Sequence, residues 1–77
     1  MASSLSQSGL IKRSFSLAGH RTSIALEPEF WTALERMALT RGVSLSRLVA
    51  DIDSGRDDGR ALASALRVVA LVAGSGG

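Results

Sequence analysis

Two runs near the start of the chain alternate with a period of two. In KRSFSL, residues 12–17, Arg13, Phe15 and Leu17 fall on one face and Lys12, Ser14 and Ser16 on the other. In RTSIAL, residues 21–26, Thr22, Ile24 and Leu26 share a face, and Arg21, Ser23 and Ala25 point the opposite way. The intervening Ala18-Gly19-His20 is a turn, and this spacing allows a hairpin with a three-residue loop. Glu27, Pro28 and Glu29 then open a helix at once. Proline suits the first helical position, where its missing N–H has no partner to lose. The two glutamates favour the positive end of the helix dipole.

Within that helix Phe30, Leu34, Met37 and Ala38 recur at helical spacing, and Leu26 and Trp31 stand where a hydrophobic staple stands. Arg41-Gly42 ends it, because glycine takes the left-handed conformation a helix terminus requires. Ser44 caps a second helix, with Val43 and Leu48 as its staple and Leu45, Leu48, Val49 and Ile52 as its apolar face. DSGRDDG, residues 53–59, interrupts this helix with two glycines. A third helix is expected from Arg60 to about Val72, burying Leu62, Ala65, Leu66 and Val69. The predicted organisation is a flexible arm over 1–10, one domain over 11–73 and a disordered tail over 74–77.

At 77 residues a single core is marginal, and association or staples are usually needed. Cysteine is absent, which excludes disulfides and thiolate zinc sites, and a single histidine builds no metal site by itself. With 45% hydrophobic residues the chain buries something. The net charge is only +2, but its placement is uneven. Residues 1–26 carry Lys12, Arg13 and Arg21 and no acid, while residues 27–77 carry six arginines and seven acids. The strand end is therefore the end that suits a polyanion. The Ser-rich, acid-free start also matches the composition of an organellar transit peptide, and it lacks the apolar core of a secretory signal. The apolar stretch Ala61 to Ala73 is too short to span a bilayer.

A strand at 21–26 with no neighbour would expose a row of unpaired backbone groups, which proteins rarely leave open. The apolar faces of the first two helices look too small to hide in a monomer. A twofold dimer answers both needs, so an obligate homodimer is expected.

The stretch RTSIALEPEFWTALERMALTRGVSLSRLVADI, residues 21–52, resembles the ribbon-helix-helix family of DNA-binding proteins. RGVSLSRLV is similar to that family's inter-helix turn. KRSFSLAGHRTSIALEPEFW, with LASALRVVAL further on, resembles a bacterial branch carrying Gly-His-Arg-Thr-Ser and Leu-Glu-Pro-Glu-Phe-Trp signatures. The resemblance implies a mainly α fold with a short N-terminal β-ribbon, β-α-α plus an extra C-terminal helix, in an intertwined homodimer. It further implies that residues 21–26 pair with their own copy in a second chain and that the ribbon enters the major groove. The dimer core would then comprise Ile24, Leu26, Phe30, Trp31, Leu34, Met37, Leu48, Val49 and Ile52. Outward strand residues touch bases in this family, which maps base contacts onto Arg21, Ser23 and Ala25. Phosphate contacts fall to Lys12 and Arg13 and to Ser44, Leu45 and Ser46 at the start of the second helix. The chain departs from the family where Gly55 cuts the second helix short.

The expected function is a dimeric, sequence-specific DNA-binding protein acting in transcription, without cofactor and without membrane, in the cytoplasm at the nucleoid. The expected partners are double-stranded DNA and a second copy. The alternative is a protein-interaction module of the antitoxin kind, which dimerises by the ribbon and docks a toxin-like partner through the C-terminal helix. An enzyme is not expected, because no acid, base and nucleophile cluster is visible. DSGRDDG lacks the ligand spacing of a calcium loop.

Overall fold

The computed structural model describes residues 9–56 and 59–76. Most of the expected arm (1–8), two acids of the expected acidic loop (Asp57 and Asp58) and Gly77 lie outside the described residues. The chain forms β1 (Ile11–Leu17), β2 (His20–Leu26), α1 (Pro28–Arg41), α2 (Leu45–Gly55) and α3 (Leu62–Gly76).

The two strands form an antiparallel hairpin in register Leu17 to His20, Phe15 to Thr22, Arg13 to Ile24 and Ile11 to Leu26. The connection is the two residues Ala18 and Gly19, not the expected three, because His20 already pairs with Leu17. Both loop residues have positive φ, 50° and 84°. A type I′ turn demands this of its two central residues, and its twist matches the strands it joins. Residues 21–26 thus find a neighbour in β1 of the same chain, where the resemblance placed one in a second chain.

α1 begins as its sequence dictates. Glu27 is extended at the cap, Pro28 sits at the first helical position, and the stapling pair Leu26 and Trp31 is buried. It ends at Gly42, φ 73°, whose N–H donates to the Leu39 carbonyl at 3.1 Å while the Val43 N–H reaches the Ala38 carbonyl at 3.0 Å. That pair of bonds is a Schellman motif. α2 opens on Ser44, whose Oγ accepts the Arg47 N–H at 3.0 Å. α3 starts two residues later than expected and runs to Gly76, past Val72.

One face of the hairpin packs on the helices. Phe15, Leu17, Ile24, Leu26, Trp31, Leu34, Ala38, Leu48, Val49, Leu66 and Ala70 make one buried cluster. Phe30, Met37, Leu45, Ile52, Leu62 and Val69 lie partly buried against it. The expectation that the apolar faces are too small to hide in one chain is corrected here. β1 adds Phe15 and Leu17 and α3 adds Ala65, Leu66 and Ala70, and these close the core from two sides. Ala70 takes a buried place expected of the bulkier Leu62 and Val69, because a small side chain lets α3 approach closely.

Trp31 fastens the ribbon to α1. Its Nε1 donates to the Ile11 carbonyl at 2.8 Å, and its ring lies 5.8 Å from that of Phe15. α3 is fastened to the start of α1 by Arg67, whose Nε donates to Glu27 Oε1 at 3.0 Å and whose guanidinium sits 5.9 Å from the Phe30 ring.

Glu27 is held below its ordinary pKa of 4.5, first by hydrogen bonding at its own backbone and then by Arg67. A carboxylate with a lowered folded pKa stabilises the fold above its unfolded value and loses that contribution as pH falls through the folded value. The gap between the urea midpoints of wild type and Glu27→Gln should therefore be full at pH 6 and shrink steadily as the pH falls below 4.5. A gap that does not change with pH on acidification would assign the effect to packing instead of charge.

Candidate nucleic-acid interface

The face of the hairpin turned away from the helices carries three cross-strand pairs: Lys12 with Ala25, Ser14 with Ser23, and Ser16 with Arg21. Five of these six side chains are exposed and Ala25 is half-buried. Residues alternate across a strand, so the sides that bury Phe15, Leu17, Ile24 and Leu26 force these six outward. The face has a cation at each of two diagonal corners, hydroxyls between them and no acid. The Ser14 and Ser23 hydroxyls meet at 3.1 Å across its centre.

The residues expected to touch DNA divide into groups. Arg21, Ser23 and Ala25 share this outer face, and Lys12 joins them from the other strand. Arg13 lies on the opposite side, because it shares the parity of Phe15. Its Nη1 meets Glu35 Oε2 at 2.9 Å, and its guanidinium stacks 5.2 Å from the Trp31 ring. Ser44 and Ser46 are exposed and Leu45 is half-buried at the opening of α2. Ser44 is committed to capping the Arg47 N–H, and its carbonyl accepts the Leu48 N–H at 3.0 Å. The N–H groups of Leu45 and Ser46, in the first turn, have no carbonyl to reach within their own helix.

Of the residues expected in the dimer core, Ile24, Leu26, Trp31, Leu34, Leu48 and Val49 are buried within the single chain. Phe30, Met37 and Ile52 are partly buried against them. Sequence reasoning left Ser14 and Ser16 out of the candidate site. The alternation had already put them on the outer face, but the resemblance maps base contacts onto 21–26 alone and leaves 12–17 with the phosphate contacts of Lys12 and Arg13.

α3 exposes Val68, Leu71 and Val72. Val68 also borders a groove of about 320 Å³ between α2 and α3, lined further by Ile52, Gly55, Ala65 and Val69 and edged by Arg56 and Arg60. Among the described residues no group of three or more histidines or acids is placed to hold a metal, and no helix is long and apolar enough to cross a membrane.

No curated protein and no solved structure matches this chain. A family model described as a ribbon-helix-helix domain matches residues 10–73, which takes in the hairpin and nearly all of the three helices. Proteins of this kind are typically DNA-binding regulators or antitoxins, and their domains are generally non-enzymatic. A two-stranded antiparallel ribbon followed by helices, with a match over most of its length, makes this chain a member of the ribbon-helix-helix domain family.

Proposed function

We propose that the protein is a sequence-specific DNA-binding regulator that lays the outer face of its β1–β2 hairpin in the major groove. The observation that carries this reading is that face: Lys12 and Arg21 with three serine hydroxyls, free of acids and unused by the core. The major groove admits a two-stranded ribbon. Arg21 suits the bidentate contact to guanine O6 and N7, Ser23 a weaker base contact, and Ala25 the methyl of thymine. Lys12 and the first N–H groups of α2 suit phosphates. Arg13 is held by Glu35 and Trp31 and has no part in this scheme.

The test is a titration against a preferred and a scrambled duplex at several salt concentrations. Arg21→Ala should lose roughly 1–3 kcal/mol per contacted site and relax preference at one position. Lys12→Ala should weaken all sequences alike and lower the salt slope by about one for each phosphate left without its cation. Equal binding of both duplexes by wild type would remove the regulator reading.

The working unit is proposed to be a homodimer whose second copy covers the α3 face at Val68, Leu71 and Val72. The melting temperature should then rise with protein concentration, and Leu71→Glu should abolish that rise. A monomeric mass at every concentration, with Leu71→Glu unchanged in stability, would leave the face to a different protein, as in an antitoxin.

A further inference from the structure

The outer face has a feature at its centre that neither strand has alone. Ser14 and Ser23 stand opposite each other, and their hydroxyls are hydrogen-bonded at 3.1 Å, with either oxygen able to be the donor. Both residues are exposed, and neither hydroxyl holds up the fold elsewhere.

A hydroxyl has one proton and two lone pairs. When one of this pair donates to the other, the donor oxygen keeps its lone pairs and the acceptor oxygen keeps its proton. The pair therefore offers the solvent a single donor, on one oxygen, beside an oxygen that can only accept. An asparagine or glutamine carboxamide offers the same pattern, and in the major groove that pattern fits adenine, which donates from N6 and accepts at N7. Guanine, with acceptors at both O6 and N7, satisfies only the donor half. Cytosine brings a donor alone, and thymine an acceptor beside a methyl. Because the bond between the hydroxyls can reverse, the pair meets adenine on either strand of an A·T pair.

We infer that Ser14 and Ser23 act together as a carboxamide-like reader of an adenine, so that base recognition is shared by both strands of one chain. This rests on the DNA-binding reading above and adds to it the base class and a residue from β1. Ser16, paired with Arg21 at one end, and Lys12, paired with Ala25 at the other, flank the reader. A lone chain thus presents a complete two-stranded reading surface. The two side chains bond only each other and both are exposed, so their removal should change stability by about 0.5 kcal/mol, small enough for a clean test.

The experiment is selection from a randomised duplex pool, with wild type, Ser14→Ala, Ser23→Ala, Ser14→Thr and Arg21→Ala compared after a check that all melt alike. Wild type should enrich a site with an adenine column beside the column that depends on Arg21. Each serine-to-alanine variant should lose the adenine preference, by roughly five- to a hundredfold, and keep the neighbouring column and the salt slope. Ser14→Thr keeps a hydroxyl and should keep the adenine. If Ser14→Ala leaves every column intact while Ser23→Ala or Arg21→Ala erases one, only β2 reads bases and the inference is overturned, with the DNA-binding reading intact. If wild type enriches nothing, the DNA-binding reading fails and this inference goes with it.

Discussion

Leu34→Asp should leave the chain unfolded at 25 °C. Leu34 is wholly buried on α1, in the cluster that joins the hairpin to all three helices. Truncating a buried leucine to alanine already costs about 2–5 kcal/mol, and a carboxylate without a partner adds the penalty of desolvation. No buried polar side chain is present among the described residues to receive it. A domain of this length has roughly 4–12 kcal/mol of stability in all, so the loss meets or exceeds what is available. Ile24→Asp should behave the same way from the ribbon side, since Ile24 is only 4% exposed. Leu39→Asp is the control: Leu39 is 80% exposed on the same helix, and its change should stay within about 0.5 kcal/mol. Circular dichroism and urea titration read all three. A helical Leu34→Asp with wild-type melting would show that the inner face of α1 has been misassigned.

Much of this fold was legible in the sequence because local chemistry and global packing agree. Pro28, Gly42 and Ser44 mark helix ends by backbone rules that hold in any surroundings, and the structure uses all three. The period-two runs assigned the strand faces correctly, since alternation is a property of extended backbone alone. What local rules could not supply was the register and the reach of each element. The turn is one case. Ala18 takes a positive φ that alanine normally avoids, so the sequence lacked the Asn-Gly signal of a tight hairpin. The extent of α3 and the burial of Ala70 are another, because both depend on how close a third helix can come to the first two.

The candidate site divides along the same line. That Arg21, Ser23 and Ala25 share a face followed from parity. That Ser14 meets Ser23 depends on register, which is set by a two-residue loop the sequence did not announce. Arg13 lies on the inner parity, as the alternation placed it, and there its guanidinium meets Glu35 and the Trp31 ring. A charge count alone does not see which face a charge is on.

Trp31 is the residue through which core stability reaches the reading face, and its two substitutions should separate. Trp31→Ala removes a ring that is 2% exposed, its packing against Phe15 and the floor under Arg13, at a cost of about 3–5 kcal/mol. That is a large share of the roughly 4–12 kcal/mol available, so its urea midpoint should fall steeply. Trp31→Phe keeps much of the packing but strips the indole N–H from the Ile11 carbonyl, which costs about 1–3 kcal/mol. That carbonyl opens β1, one residue before Lys12 and three before Ser14. The phenylalanine variant should therefore fold, with amide exchange accelerated at the start of β1 and unchanged in α2. On DNA it should lose discrimination at the position read through Ser14 before it loses the contribution of Arg21, which lies at the turn end of the ribbon. Uniform exchange acceleration across all elements would mean that Trp31 serves the core alone and does not position the reading strand.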